Sequence, residues 1–463
     1  MPVDRDAVLD SAKYLRGVRP VDPAEIREYV AGQPREAVVR QVLREHAAEL
    51  GLVERDDGTF VPASDGPVRP AFEGVDALPP TYEHAVEDLL VERWGADWHR
   101  GESGDDLRET IRRFKEDYYR RNPVEYDYEV ALGYAVYHLP SYYAAVQYVL
   151  DDLAAGGLLS GDLRVLDVGA GVGGPALGLF DFLPGDALVE YHAVEPSEAA
   201  DVLESLLPEA GRNVHAEVHR ETAEAFDPSG EYDLVLACSV LSELDDSLAV
   251  AEKCVDALAD DGTFVGVAPA DKHTSTHLRA VERELESRGV TVYGPTPRLW
   301  PGERPSDRGW TFDERPALDR PRFQERLAEA SERPSEFLHT DVRFSYSLLR
   351  SDGVREHDVA LEGDRLLRLA AVDEWVTDRA DAVLAKLSRN LAGEDANPLF
   401  KVSDGSEATD CYAVLVRPTS LNRDLERADY GDLLSVESAL VLYNGDEDAY
   451  NLVVDEETVV DRV

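Results

Sequence analysis

The stretch RVLDVGAGVGGPALGLF, residues 164–180, decides how the rest of the chain is read. It opens as an apolar strand, sets Asp167 near the strand's end, and then places Gly169, Gly171, Gly173 and Gly174 in quick succession. Glycines permit a tight turn and let a ligand approach bare backbone. Pro175 suits the first turn of a helix, where the backbone donor it lacks is not needed. A second strand, LVEYHAV, is followed by Glu195, about 20 residues past the loop, where nucleotide-binding βα units set the carboxylate that holds ribose hydroxyls. Gly169, Gly171 and Gly174 also satisfy G-x-G-x-x-G, so a nicotinamide dinucleotide is a rival ligand. Charge decides between the two. A carboxylate at Asp167 favours a cationic sulfonium and opposes a pyrophosphate.

The D-x-G-x-G-x-G spacing from Asp167 resembles motif I of the S-adenosylmethionine-dependent methyltransferases. That resemblance implies S-adenosylmethionine as cofactor, held at Asp167, Gly169, Ala170, Gly171, Gly173 and Glu195. It also implies that Glu221, after the third strand, and Cys238 and Ser239, after the fourth, line the adenine and methionine pockets. Strands alternating with helices predict an α/β fold with a seven-stranded Rossmann-like sheet: 164–168, 188–194, 214–219, 232–238, 263–268, 290–293 and 342–349. No N/D-P-P-Y tetrad follows the fourth strand, and no catalytic residue stands out. Methyl transfer can proceed by in-line positioning alone, so this absence does not exclude an enzyme.

A closer resemblance includes the preceding helices. YAVYHLPSYYAAVQYVLDDL (134–153), the glycine loop and YDLVLACSVLSEL (232–244) together look like the methyltransferase-like assembly factors of the mitochondrial small ribosomal subunit and their prokaryotic relatives. The match runs over roughly 129–349. It implies association with the small ribosomal subunit or its rRNA. Members of that family carry a cysteine-rich metal-cluster loop after the sixth strand, but residues 294–314, GPTPRLWPGERPSDRGWTFDE, hold no cysteine. Thiolates therefore cannot ligate a cluster there. Packing of Trp300, Trp310 and Phe312 is expected instead, with Arg298, Arg304 and Arg308 left for phosphate.

At 463 residues, two or three domains are expected. Residues 1–62 read as a winged-helix-like module, with helices at 24–31 and 35–50 and a hairpin around Asp56, Asp57 and Gly58. Residues 63–160 supply a linker (63–80) and a helical lead-in, with helices near 129–138 and 142–153 and Ser141 placed to cap the second. The cofactor-binding domain spans 161–350, with a proline-rich insertion at 294–340. A helix over 364–391 forms the connection 351–393, and 394–463 form a small β-domain.

The net charge of −47, from 94 acidic and 47 basic residues, is spread along the chain and fits a halophilic protein in a salt-rich cytoplasm. Against that background RETIRRFKEDYYRR (108–121) is net basic, so Arg108, Arg112, Arg113, Lys115, Arg120 and Arg121 are candidate RNA contacts. A helix that simply packs is the competing reading. The N-terminus lacks an apolar signal segment and no run is long enough to span a bilayer, so neither membrane nor DNA is an expected partner. Three scattered cysteines argue against disulfides. His273 and His277 share a helical spacing without a third ligand, so they are read as solvent-facing and no metal is assigned. Two other functions stay open: an independent methyltransferase acting on a small molecule or protein, and a non-catalytic cofactor-binding scaffold.

Overall fold

The computed structural model describes residues 3–363, 365–393 and 396–463. It divides into two compact units, one of Met1–Leu236 with Ala317–Thr340, the other of Ala237–Pro316 with Asp341–Val463. The boundary between them falls inside a strand.

In the first unit, helices α1 (Arg5–Leu15), α2 (Pro23–Tyr29), α3 (Glu36–Glu45) and α4 (Ala47–Leu50) precede an antiparallel pair, β1 (Leu52–Glu54) and β2 (Phe60–Pro62). Val8, Ile26, Val39, Leu43 and Phe60 form their shared core. The expected single helix over 35–50 is broken at His46, whose backbone leaves helical geometry. The additional α1 starts where Asp4 caps Ala7 through its side chain. Four helices follow: α5 (Pro80–Trp94), α6 (Gly101–Arg120), α7 (Tyr128–Tyr137) and α8 (Leu139–Ala155). Only His138 separates α7 from α8. The second of these starts earlier than expected, with Pro140 in its first turn. Ser141 does not cap it; its hydroxyl donates back to His138 O at 2.9 Å.

Strands β3 (Asp162–Val168), β4 (Leu188–Val194), β5 (Val214–His219) and β6 (Tyr232–Cys238) are parallel, in the order β5-β4-β3-β6. Helices α9 (Gly174–Phe182) and α10 (Ala199–Leu206) supply crossovers. Residues Val165, Leu166, Leu177, Tyr191 and Leu203 are fully enclosed, as a sheet covered on both faces requires.

In the second unit, α11 (Ser247–Asp256) and α12 (Lys272–Ser287) accompany β7 (Leu258–Pro269), β8 (Thr291–Gly294), β9 (Asp313–Arg315) and β10 (Val342–Arg350). Strand β10 runs antiparallel to β7, β8 and β9. The sheet order is β5-β4-β3-β6-β7-β10-β8, with β9 on β10. Eight strands therefore replace the expected seven. The extra one is the acidic–basic triplet Asp313–Arg315, too short to show a period of two.

Residues 364–391 do not form the expected helix. Asp364 lies outside the described residues, Leu369–Trp375 form a 3-10 segment, and Arg379–Lys386 form strand β11. Ala380, Ala382 and Leu384 are buried while Asp381 is exposed, an alternation that short alanine side chains had disguised. Strand β11 pairs with both β12 (Leu399–Ser403) and β14 (Leu433–Asn444). Through β13 (Cys411–Leu415) and β15 (Ala449–Val454) this closes a barrel-like sheet, with β16 (Val459–Arg462) added on β14. Leu384, Phe400, Ala413, Val436 and Leu452 fill it.

Candidate functional site: the glycine loop and its surroundings

Three glycines of the loop have left-handed backbone: Gly169 at φ 70°, Gly171 at 54° and Gly173 at 90°. Their surroundings differ. A Cβ on Gly173 would stand 2.6 Å from Leu203 Cδ1, and one on Gly174 would meet Leu139 O at 3.0 Å and Tyr142 Cβ at 3.1 Å. These two positions pack. A Cβ on Gly171 would find nothing nearer than Gly169 O at 4.0 Å, so this residue borders open space.

The loop's amides are largely committed within the protein. Gly169 N and Ala170 N both donate to Val194 O, at 2.8 and 3.3 Å, and Gly173 N donates to Ala170 O at 3.0 Å. Gly171 N donates to Glu195 Oε2 at 3.0 Å. The other Glu195 oxygen accepts from Ser197 N at 2.9 Å and Ser197 Oγ at 2.6 Å. A pyrophosphate needs free amides and no neighbouring anion. This loop offers few of the first and places the largely buried Glu195 carboxylate directly on Gly171. The nicotinamide alternative is disfavoured by this geometry.

Asp167 is fully enclosed rather than open to the loop's exterior. Its Oδ2 accepts from Tyr191 Oη at 2.6 Å, and its Oδ1 is buried with no partner. Burial drives its pKa up to about 7; the Tyr191 hydrogen bond opposes that rise and the Glu195 charge adds to it. A buried carboxylate oxygen without a donor is incomplete. The ammonium group of S-adenosylmethionine is the kind of donor that completes it. The open side of Gly171 and this orphaned oxygen both fit that cofactor, with Glu195 available for hydroxyl donors through its remaining lone pairs.

The other expected site residues fall as follows. Glu221 is exposed just after β5. Cys238 ends β6 half-buried, and Ser239 takes a left-handed φ of 61° while its amide donates to Val267 O at 2.8 Å. In that same unit Ser239, Ser242, Thr274 and His277 border a small cavity. His277 is not solvent-facing: it is partly buried and bonds Ser247 Oγ through Nε2 at 3.0 Å.

The basic segment is turned inward at Arg108 and partly at Lys115. Arg108 is buried and donates to His99 O at 3.0 Å and Leu327 O at 3.1 Å. Arg112 pairs with Glu336 at 3.0 Å, and Lys115 Nζ donates to Glu336 O at 2.9 Å and Tyr137 Oη at 2.8 Å. These three side chains bond to residues 317–340; the burial of Arg108 removes it as an RNA contact, while Arg112 stays exposed and Lys115 half-buried. Arg113, Arg120 and Arg121 remain exposed, beside Tyr119 at 88% exposure, and Arg120 also pairs with Glu116.

Ion pairs rather than free arginines occupy 294–314. Arg298 is buried between Glu282 and Glu286, Arg308 pairs with Asp410, and Arg304 lies 3.9 Å from Glu286. Lys401, itself buried, holds Asp307 at 2.6 Å and also bonds Asp410. Trp300 Nε1 donates to Asp404 at 2.8 Å. Arg298 and Arg308 are therefore not left for phosphate, while Trp300 does pack as expected.

One histidine group escaped the sequence reading. On β4 and β5, His192, Glu217 and His219 lie close enough to suggest a metal site. His192 Nδ1 and His219 Nε2 are 3.2 Å apart, and the rings are nearly parallel with centroids 5.4 Å apart. A nitrogen–nitrogen distance of 3.2 Å suits a hydrogen bond, and equally two imidazoles at a tetrahedral angle about an ion roughly 2.0–2.1 Å from each. His192 Nε2 continues the contact to Glu190 at 2.9 Å.

Comparison with known proteins agrees with the loop. Residues 166–264 match a family model described as a methyltransferase domain. The chain thus carries a methyltransferase domain, and its cofactor is S-adenosylmethionine. Residues 5–56 and 370–463 match the N-terminal and C-terminal models of a domain of unknown function, DUF8157. No curated protein matches the sequence. Similar solved structures include an S-adenosylmethionine-dependent methyltransferase from Clostridium acetobutylicum ATCC 824, at 14% identity and TM-score 0.24, covering 28% of this chain and 52% of that one. Another is magnesium protoporphyrin IX methyltransferase from Synechocystis PCC 6803, at 17% identity and TM-score 0.26, covering 42% and 88%. A third is the plantazolicin methyltransferase BpumL, at 11% identity and TM-score 0.31, covering 58% and 98%. The chain thus spans about half of the first and most of the other two. At such scores these likenesses carry no argument, and the assignment rests on the family match and the loop.

Proposed function

We propose that this protein transfers a methyl group from S-adenosylmethionine, bound against Gly171 with Asp167 and Glu195 as its polar partners, and that it works on the small ribosomal subunit or its rRNA. The single observation behind the first part is the loop itself: an open Gly171 with a carboxylate on its amide and an orphaned, buried Asp167 oxygen beneath it. The second part is supported by the sequence resemblance at 129–349 and by the exposed set Arg113, Tyr119, Arg120 and Arg121, a local basic and aromatic surface on a chain of net charge −47. The helices and hairpin within residues 1–62 serve in this reading as a winged-helix-like docking module. Dispersed acidity keeps the surface hydrated in molar salt, where the Debye length is about 3 Å. No helix among the described residues is long and apolar enough to cross a membrane.

Labelled-methyl transfer tests the first part and co-sedimentation in high salt the second. Label arriving on RNA of small-subunit precursors is the expected result. A protein that binds cofactor yet never sediments with those precursors, or labels only free metabolites, removes the ribosomal part and leaves an independent methyltransferase.

A further inference from the structure

Tyr134, His138 and Tyr142 recur every fourth residue across the α7–α8 junction. All three keep part of their surface open, whereas Ala131, Val136, Leu139, Tyr143 and Ala144 around them are buried. They form a stripe along one face, since residues four apart share a helix side, with Tyr134 and Tyr142 partly open and the imidazole of His138 enclosed between them. The stripe adjoins the glycine loop, because Leu139 and Tyr142 are the residues that a Cβ on Gly174 would touch. At its other end Tyr126 packs on Tyr134 with ring centroids 5.3 Å apart, and Tyr126 O accepts from Glu198 N, three residues past Glu195.

The imidazole of His138 lies at the centre. Tyr134 is 4.5 Å and Tyr142 5.4 Å from it between centroids, with the Tyr142 ring nearly parallel; Tyr137, His339 and Phe114 also pack on it at 4.8, 5.2 and 5.8 Å. Its Nδ1 is buried with no partner. Desolvation, with His339 and Lys115 nearby, holds its pKa well below the usual imidazole value, so the ring is neutral and does not repel a sulfonium. The late segment supplies the fourth wall: fully buried Gln324 donates to Val136 O at 2.8 Å and accepts from His339 N at 2.9 Å.

We propose that this stripe is the acceptor side of the methyl-transfer site, and that His138 takes the proton from a neutral, planar aromatic or heteroaromatic acceptor bearing N–H or O–H. The inference rests on the methyl-transfer reading above. Aromatic faces suit a flat acceptor. Lys115 beside His138 disfavours an ammonium one. The acceptor's lone pair forms the new bond to the methyl carbon and the sulfur–methyl bond breaks with its electron pair going to sulfur. The acceptor's proton passes to His138 Nδ1, then to solvent. Positive charge moves from sulfonium to imidazolium, and the products are a thioether and a methylated ring.

The test uses the full chain in molar potassium chloride, methyl-labelled S-adenosylmethionine and an unfractionated cell extract, with the labelled product identified by mass spectrometry. S-adenosylhomocysteine affinity is measured alongside for wild type, His138→Gln and Tyr134→Leu. The expected product carries the methyl on a ring or ring-attached nitrogen or oxygen. In His138→Gln, cofactor affinity should hold within about twofold while kcat falls about 100-fold or more and loses its acid limb; Tyr134→Leu should mainly raise KM. A methyl on an aliphatic amine or carboxylate overturns the proposal. So does unchanged kcat in His138→Gln, loss of its cofactor affinity, or a cofactor-binding wild type that methylates nothing. Failure of wild type to bind cofactor instead defeats the underlying reading.

Discussion

The Asp167→Asn substitution tests the electrostatics of the loop with a sign that changes in a defined direction. The carboxyl is fully buried and its pKa is raised from 3.8 to about 7. In the unfolded chain it ionises near the ordinary value, so between these two pH values the folded state holds a proton that the unfolded state has lost. Stability contributed by this group therefore falls as pH rises from about 4 to about 7 and is constant above. At about 1.4 kcal/mol per pH unit, the full penalty is about 4 kcal/mol, of which about 2 kcal/mol accrues between pH 5.5 and 7. The asparagine side chain carries no such penalty. It does place an amide nitrogen where Oδ1 lacks a partner, at a cost of about 1–3 kcal/mol that does not vary with pH. Urea unfolding of both proteins in molar salt, followed by tryptophan fluorescence, should show the variant gaining on wild type by about 2 kcal/mol between pH 5.5 and 8.5. S-adenosylmethionine affinity should rise with pH over that interval in wild type, because the bound ammonium favours the ionised carboxylate, and stay flat in the variant. A stability gap that is constant, or that narrows with pH, would refute the reasoning.

Three further outcomes follow from packing and charge. Gly178→Ala should lower stability by about 1–3 kcal/mol or more, because the new Cβ would stand 2.4 Å from Tyr143 O, a backbone atom of α8; an unchanged melting temperature would contradict the α8–α9 contact. Lys115→Ala combined with Gln324→Ala should speed tryptic cleavage after Arg322 and Arg326, since Lys115 bonds to Glu336 O and Gln324 ties this segment to Val136 O and His339 N; an unaltered cleavage rate would contradict the anchoring role of α6. Transfer from 0.1 M to about 3 M KCl should raise the melting temperature, as the Debye length falls from about 10 Å towards 3 Å or less. A melting temperature that falls with salt would speak against halophilic adaptation.

The parallel strands were legible because two local signals coincided. Apolar runs of four to seven residues ended in glycine or acid, and the loop at 169–174 had no helical alternative. The loop's partners were less legible. Tyr191, which bonds Asp167, looked like any strand tyrosine, and its role depends on adjacent β3 and β4 registering Asp167 against Ala193. In the basic helix charge density could be counted, but Glu336 and the carbonyl of Leu327 lie more than 200 positions away, so the inward turn of Arg108 and the pairing of Arg112 could not be seen. The spacing of Tyr134, His138 and Tyr142 is present in the sequence, but the nearness of Leu139 and Tyr142 to Gly174 is not. Strand β11 failed because alanines at 380, 382 and 385 serve a helix and a narrow barrel interior equally well.

Calorimetric titration of S-adenosylmethionine into wild type and Gly171→Asp tests the whole account most directly. Wild type should bind one equivalent, and the variant, with a side chain projecting into the space Gly171 leaves open, should show no heat while keeping its circular dichroism spectrum. Equal affinity in both proteins, or no binding by wild type, would contradict it.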